Sequence, residues 1–104
     1  MTDSPSFDVV NNSDQSRYEI RDGDTLLGFA DYQETPDSVV FTHTEVFPGS
    51  EGKGVGGALI GAALDDVRAR DLKALPICPF VQAYLKRHPE YADLDYRTSR
   101  PAQD

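Results

Sequence analysis

The stretch from residue 51 to residue 60 reads EGKGVGGALI, with four glycines in seven positions and an apolar run directly after them. Small and apolar residues then recur at the spacing of one helix face, which predicts a helix from about residue 54 to residue 70: Gly56, Leu59, Ile60, Ala63, Leu64 and Val67. Glycines before a helix let the chain bend tightly and expose backbone N–H groups at the positive helix N-terminus. The stretch therefore predicts a turn that binds a pyrophosphate, in which Gly52 and Gly54 bend the backbone and Gly56 lets the helix lie close to the sheet.

Two familiar phosphate-binding motifs do not fit this stretch. A P-loop needs Ser or Thr directly after its lysine, but Gly54 follows Lys53 here. Gly52, Gly54 and Gly57 match the GxGxxG fingerprint, but a dinucleotide-binding domain needs repeated βαβ units that the flanking sequence does not supply. A glycine-rich turn without any ligand is the remaining alternative.

The residues around the glycines predict strands on both sides of the helix. Runs of β-branched and aromatic residues, separated by turn residues, predict three successive antiparallel strands at residues 17–20, 25–32 and 38–46. A fourth strand at 73–78 and a second helix at 80–87, with Pro79 at its start, follow the first helix. The order β-β-β-α-β-α predicts an α+β fold with a mixed, mainly antiparallel sheet and one right-handed crossover.

The chain has room for one domain. With 104 residues, 38% of them hydrophobic, it can bury one modest core. Polar residues dominate both ends, which predicts disordered tails over residues 1–15 and 97–104 and a folded domain over residues 16–96.

Charge and composition narrow the function classes. The net charge of −8 argues against nucleic-acid binding and would attract a cationic partner. No apolar stretch approaches the roughly 20 residues of a membrane span, and no signal pattern begins the chain, so we expect a cytoplasmic protein that does not bind membranes. One cysteine and two histidines predict neither a disulfide nor a metal site. We expect a monomer or a weak homo-oligomer.

Four short motifs stand out along the predicted elements: HTEV at residues 43–46, EGKGVG at 51–56, PICPFV at 76–81 and HPEY at 88–91. Together they resemble the GNAT superfamily of N-acetyltransferases, and within it the short YjdJ-type domain. Glu51 stands where the wider superfamily has Gln or Arg, whereas Glu is ordinary in the short branch. The resemblance extends over about residues 18–94.

The resemblance implies a GNAT-like sheet whose third and fourth strands splay apart in a V, with acetyl-CoA as the co-substrate in the opening. By position it implies that the backbone of Val46 pairs with the pantetheine arm and that the glycine turn holds the pyrophosphate. The implied cofactor-binding residues are Val46, Glu51, Gly52, Lys53, Gly54, Val55, Gly56 and Gly57. The implied reaction is direct transfer of the acetyl group to a primary amine of a protein or small molecule. A non-catalytic module that binds or senses acetyl-CoA or CoA is the alternative.

Three residues are the main candidates for the chemistry. The resemblance aligns Tyr84 with the tyrosine of the superfamily's Tyr-x-Lys, which implies a general acid, with Tyr91 as the fallback. His43 lies in mid-strand beside the implied opening and suits general-base catalysis, as does Glu45. Cys78 precedes a helix N-terminus, a position that favours a thiolate able to carry the acetyl group covalently. Purely structural roles stay open for the candidates: a tyrosine packed on the sheet, a histidine bonded to a neighbour and a small buried cysteine.

Overall fold

The computed structural model describes residues 7–50 and 54–99. In chain order its elements are β1 (Asp8–Asn12), a 3-10 turn (Ser13–Gln15), β2 (Arg17–Asp22), β3 (Thr25–Glu34), β4 (Ser38–Val46), α1 (Val55–Ala69), β5 (Lys73–Pro76), α2 (Pro79–Arg87), a second 3-10 turn (Pro89–Leu94) and α3 (Tyr96–Ser99). Predictions that concern residues 1–6, 51–53 and 100–104 lie outside the described residues.

The strands form one sheet in the order β1-β2-β3-β4-β5. Neighbours among β1 to β4 are antiparallel, whereas β5 is parallel to β4 and is connected to it through α1. This arrangement confirms the predicted α+β fold with a mixed, mainly antiparallel sheet. The hairpin of β2 and β3 is longer than predicted, because pairing continues to Asp22 and Thr25 beside its turn.

The N-terminal region differs from the prediction of a disordered tail over residues 1–15. Residues 8–15 form β1 and the first 3-10 turn, and β1 pairs with β2 along its whole length. Its polar composition fits an edge strand with largely exposed side chains, and Asn11 accepts a hydrogen bond of 2.5 Å from the hydroxyl of Tyr32. The predicted C-terminal tail is likewise wrong at residues 97–99, which belong to α3.

Helix α1 covers one face of the sheet with a stripe of fully buried residues: Val55, Leu59, Ile60, Ala63, Leu64 and Val67. The sheet presents its own buried side chains to this stripe: Tyr18, Ile20, Ala30, Val39 and Phe41. Two hydrogen bonds also connect the sheet to α1. The Tyr18 hydroxyl donates to Asp66 at 2.6 Å, and Arg70 donates to Glu34 at 2.6 Å. The sheet and α1 therefore form a fixed frame for the residues at the N-terminus of α1.

Helix α2 lies beside α1 on the same face of the sheet. The ring of Phe80 lies against Gly56, and the hydroxyl of Tyr84 lies against Gly61, one to two turns further along α1. Val81, on the sheet side of α2, is fully buried. The first turns of the two helices are therefore neighbours, close to the carboxyl end of β4.

Candidate active site

The sheet opens between β4 and β5 beyond Phe41. β5 pairs with β4 only as far as this residue, while β4 continues to Val46. The N–H groups of Ile77 and Cys78 both donate to the Phe41 carbonyl at 3.0 Å, and Thr42 is an extra residue in β4 relative to β3. Such a bulge bends and twists its strand, so the end of β4 separates from β5 in the predicted V-shaped splay.

A groove of about 500 Å³ lies at this opening. Its walls come from the end of β4, the N-terminus of α1 and the first turn of α2: Thr44, Glu45, Val46, Gly54, Val55, Gly56, Gly57 and Phe80. The predicted cofactor-binding residues that the structure describes all contribute to these walls. Glu51, Gly52 and Lys53 lie outside the described residues.

The N-terminus of α1 supplies hydrogen-bond donors to the groove. Gly54 precedes the helix with φ of 76° and ψ of 13°, and its carbonyl accepts the N–H of Ala58 at 2.9 Å. This left-handed conformation favours glycine because a Cβ would crowd the backbone. The first N–H groups of a helix have no partner inside it, so those of Val55, Gly56 and Gly57 can bind an anion in the groove.

Gly56 has a different role from the one predicted. A Cβ at this position would collide with Cζ of the Phe80 ring rather than with the sheet. The residue that does pack α1 against the sheet at this level is Val55, which is 1% exposed. The missing side chain of Gly56 therefore brings α1 close to α2, not to the sheet.

His43 and Glu45 lie together on the opposite face of β4 from α1. Thr44, between them, points toward the helices, and side chains alternate along a strand. His43 Nε2 is 3.3 Å from Glu45 Oε1, and the two side chains are 59% and 49% exposed. Glu45 also contributes to the wall of the groove, whereas His43 does not.

Cys78 lies behind the groove wall. It occupies the position directly before α2, is 4% exposed, and its sulfur is 3.4 Å from Oγ1 of Thr44. Thr44 itself contributes to the groove. A bound molecule would meet the threonine before it met the thiol.

Tyr84 is not among the residues that line the groove, although its ring lies close to Gly57, and its hydroxyl faces α1. Its ring stacks on His88 with centroids 3.9 Å apart, and a Cβ added at Gly61 would be 2.8 Å from its hydroxyl oxygen. Burial, together with the negative charges of Glu90 and Asp65, raises the pKa of the Tyr84 hydroxyl. The structure does not bring this hydroxyl together with the residues of the groove.

Tyr91, the fallback acid, belongs to the same outer cluster. Its hydroxyl donates to Asp65 on α1 at 2.7 Å, and its ring centroid is 6.1 Å from that of Tyr84. Burial and the Asp65 carboxylate raise the pKa of Tyr91 well above its usual range. This environment holds the proton on the tyrosine and joins the second 3-10 turn to α1.

Sequence reasoning missed Phe80, Thr44 and Gly28 as residues of this region. Phe80 forms one wall of the groove, and Thr44 separates the groove from Cys78. A Cβ at Gly28 would be 2.5 Å from the carbonyl oxygen of Glu45, so this glycine allows β3 to approach β4 beside the groove. A glycine inside a strand is the signal that points to such a close approach.

A second cavity, of about 550 Å³, lies between α2 and the C-terminal segment. It shares no lining residue with the groove and contains none of the predicted site residues. Over residues 7–50 and 54–99, no helix is long and apolar enough to cross a membrane. The same ranges contain no group of three or more His, Cys, Asp or Glu residues placed to hold a metal ion.

Comparisons with known proteins agree with this fold. The sequence model of a family described as GCN5-related N-acetyl-transferase matches residues 17–94. The chain is also similar to a GCN5-like protein from Staphylococcus aureus, solved by NMR in solution, with a TM-score of 0.64, 22% identity and 90% of each chain covered. At this identity the likeness concerns the fold. Comparison with curated proteins gives no match.

The splayed sheet, with a glycine-rich helix start at its opening, defines an acyltransferase fold. Because the family match includes well over half of the chain, the protein belongs to the GCN5-related N-acetyltransferases.

Proposed function

We propose that this protein transfers the acetyl group of acetyl-CoA to a primary amine. The groove at the splay of β4 and β5 is the observation that supports the proposal, because it combines the two surfaces that acetyl-CoA needs. The first N–H groups of α1, which have no partner within the helix, suit a pyrophosphate. Val46 and Phe80 suit the less polar pantetheine arm.

Acetyl-CoA supplies the activated acetyl thioester, and the chain must bind it, orient it and remove a proton from the amine. A primary amine is protonated near neutral pH and becomes a nucleophile only after losing that proton. We assign this step to the His43–Glu45 pair, with Glu45 at the groove and His43 next to it. Both side chains reach solvent, so the proton has a path away from the site.

Direct attack by the amine fits the geometry better than a covalent intermediate on Cys78. The cysteine is buried, and its sulfur contacts the Thr44 hydroxyl rather than the open groove. Intact-mass measurement after incubation with acetyl-CoA and no acceptor tests this choice. An acetyl adduct that disappears in Cys78→Ser would replace direct attack with transfer through the thiol.

The acid that protonates the leaving thiolate is assigned to Tyr84 on the family resemblance alone. Its hydroxyl faces Gly61 in this structure, so the assignment requires α2 or the tyrosine ring to shift when substrates bind. If Tyr84→Phe leaves the rate of thiol release unchanged at every pH, solvent protonates the thiolate.

Binding and turnover test the proposed function separately. Calorimetry with CoA and acetyl-CoA should give saturable binding, and acetyl-CoA with a panel of primary amines should release free thiol. Glu45→Gln should keep acetyl-CoA affinity and lose turnover. Binding without turnover for every amine would support the alternative of a non-catalytic acetyl-CoA sensor, and the absence of binding would contradict both.

The acceptor is proposed to be cationic, because the chain carries a net charge of −8. A lysine side chain, a protein N-terminus and a small polyamine all fit this description. The monomeric or weakly oligomeric state and the cytoplasmic location stay predictions from the sequence.

A further inference from the structure

Phe80 is a large apolar side chain that the fold leaves partly in solvent. It is 39% exposed at the first turn of α2, although the next residue, Val81, is fully buried. Its ring is nevertheless fixed on one side, because it lies against the backbone of α1 at Gly56. The remaining surface of the ring forms a wall of the groove.

Gly56 is the counterpart of this ring. A glycine inside a helix is unfavourable relative to alanine, so its presence needs a local reason. The nearest atoms to a Cβ built at Gly56 all belong to the Phe80 ring. Gly57 is different, because its nearest contact would be an ordinary 3.9 Å from Tyr84.

Two apolar side chains form a strip along the groove. Val46 contributes from β4 and Phe80 from α2, whereas the side chain of Val55 is buried. The anion-binding N–H groups lie at the end of this strip, at Gly54 to Gly57. A ligand held by those N–H groups and extending toward the splay would therefore pass the ring of Phe80.

We propose that Phe80, placed by Gly56, is the residue that holds the pantetheine arm of acyl-CoA and leaves binding of the nucleotide part to the N-terminus of α1. This inference rests on the proposed function, since it concerns the same groove. The arm carries apolar groups that gain from contact with an aromatic ring, whereas the pyrophosphate gains from N–H donors. The two parts of the ligand are then recognised by different elements.

The test compares acetyl-CoA with 3′-phospho-ADP, which keeps the pyrophosphate and lacks the pantetheine arm. Calorimetry would measure both probes against the wild type, Phe80→Ala, Gly56→Ala and the double variant. Phe80→Ala should weaken acetyl-CoA about tenfold or more and leave 3′-phospho-ADP within about twofold. Ile77→Ala is the matched control, because Ile77 is 55% exposed nearby but contributes no wall to the groove.

The double variant tests whether Gly56 acts through the ring. In the wild-type background, Gly56→Ala should also weaken acetyl-CoA, because its Cβ displaces Phe80. In the Phe80→Ala background the same change should cost no further affinity and should raise the melting temperature, since alanine favours the helix. An additive loss of affinity would mean that the Cβ blocks the ligand itself, which would overturn the role of Gly56.

The outcomes separate this inference from the proposed function. If the wild type binds neither acetyl-CoA nor CoA, the proposed function fails. If the wild type and Phe80→Ala bind acetyl-CoA equally well, only the proposed role of Phe80 is wrong. The same conclusion follows if Phe80→Ala loses as much affinity for 3′-phospho-ADP as for acetyl-CoA. Should Phe80→Ala not fold, Phe80→Leu takes its place, with a smaller loss expected for acetyl-CoA only.

Discussion

Single residues in this protein are constrained by backbone conformation and by buried charge. Gly54 has a positive φ of 76°, and a Cβ built there would have no close contact with more distant parts of the described chain. Glu19 is 3% exposed and is surrounded by hydrogen-bond donors from Arg17, Arg21 and Asn12. The first constraint belongs to the groove and the second to the frame that carries it, so their substitutions have separable effects.

Replacing Gly54 by valine should strain the start of α1 and greatly weaken acetyl-CoA binding while the fold survives. A β-branched residue in the left-handed region costs roughly 1–2 kcal/mol, and relief of that strain would turn the N–H groups away from the groove. Calorimetry and thermal unfolding would measure the two effects. Gly23→Val is the control, because Gly23 has a φ of 62° and equal space but lies in the β2–β3 turn. It should lose similar stability and keep its affinity; unchanged affinity in Gly54→Val would contradict the assigned role.

Glu19 should make stability depend on pH in the acid range. Burial raises the pKa of this carboxyl, but hydrogen bonds from Arg17, Asn12 and Arg21 outweigh burial and lower it from 4.5 to about 2. Because the folded-state pKa is depressed, the stabilisation is fully present above about pH 4.5 and is lost as the pH falls toward 2. Urea unfolding at pH 7 should show Glu19→Gln less stable than wild type by about 2 kcal/mol.

The same measurement near pH 2.5 should give a much smaller difference between Glu19→Gln and wild type. Glu45→Gln is the control, since Glu45 lies on the same face of the sheet and is 49% exposed. Its change in unfolding free energy should be near zero at both pH values. A Glu19→Gln deficit that stays constant with pH would show that the carboxylate charge is not its source.

At the scale of elements, the position of β4 relative to its two neighbours creates the groove. β5 leaves β4 beyond Phe41, while β3 stays paired with it to Val46, where Gly28 is the partner. The close approach of these two strands at Gly28 holds the free end of β4 in place. The width of the groove therefore depends on a strand contact that lies outside the groove.

Gly28→Ala should lower both stability and acetyl-CoA affinity. The new Cβ would be 2.5 Å from the Glu45 carbonyl oxygen and 3.2 Å from Cα of Val46, and backbone atoms cannot rotate away as a side chain can. Separation of the strands should cost about 1–3 kcal/mol. Gly57→Ala, whose Cβ would make an ordinary contact, should instead raise the melting temperature. Wild-type stability in Gly28→Ala would mean that β3 and β4 adjust without strain.

The sequence was sufficient for the elements with strong periodicity and insufficient for contacts between elements. The stripe of α1 and the apolar run of β4 could be recognised because their side chains repeat with the period of a helix or strand. β1 was missed because its two adjacent valines, flanked by Asp and Asn, do not make an alternating pattern. Phe80 and Tyr84 share one face of α2, and only the packing of α2 on α1 decides that one reaches the groove while the other faces Gly61.

At the scale of the whole molecule, the groove brings together distant parts of one small chain. Residues from β4, α1 and α2 meet at the splay. The Tyr18–Asp66 hydrogen bond connects the sheet to α1, and the Tyr91–Asp65 hydrogen bond connects the second 3-10 turn to α1. The His43–Glu45 pair lies on the other face of β4. Under the proposed function, an amine and acetyl-CoA would approach from opposite faces of β4.

The net charge of −8 predicts how acetyl transfer should respond to salt. Long-range attraction speeds the encounter of an acidic protein with a cationic acceptor, and salt screens it over about 10 Å at 0.1 M. For a polyamine or a lysine-rich peptide, kcat/KM should fall severalfold between about 20 mM and 200 mM salt, whereas kcat should change little. A primary amine of similar size that also carries one carboxylate, and is therefore neutral overall, is the matched control and should show no such fall. Salt also changes the binding of acetyl-CoA, but this effect is common to both reactions. It cancels in the ratio of kcat/KM for the cationic acceptor to kcat/KM for the control amine. A ratio that stays constant at all salt concentrations would exclude electrostatic selection of the acceptor, but it would not contradict the transferase activity.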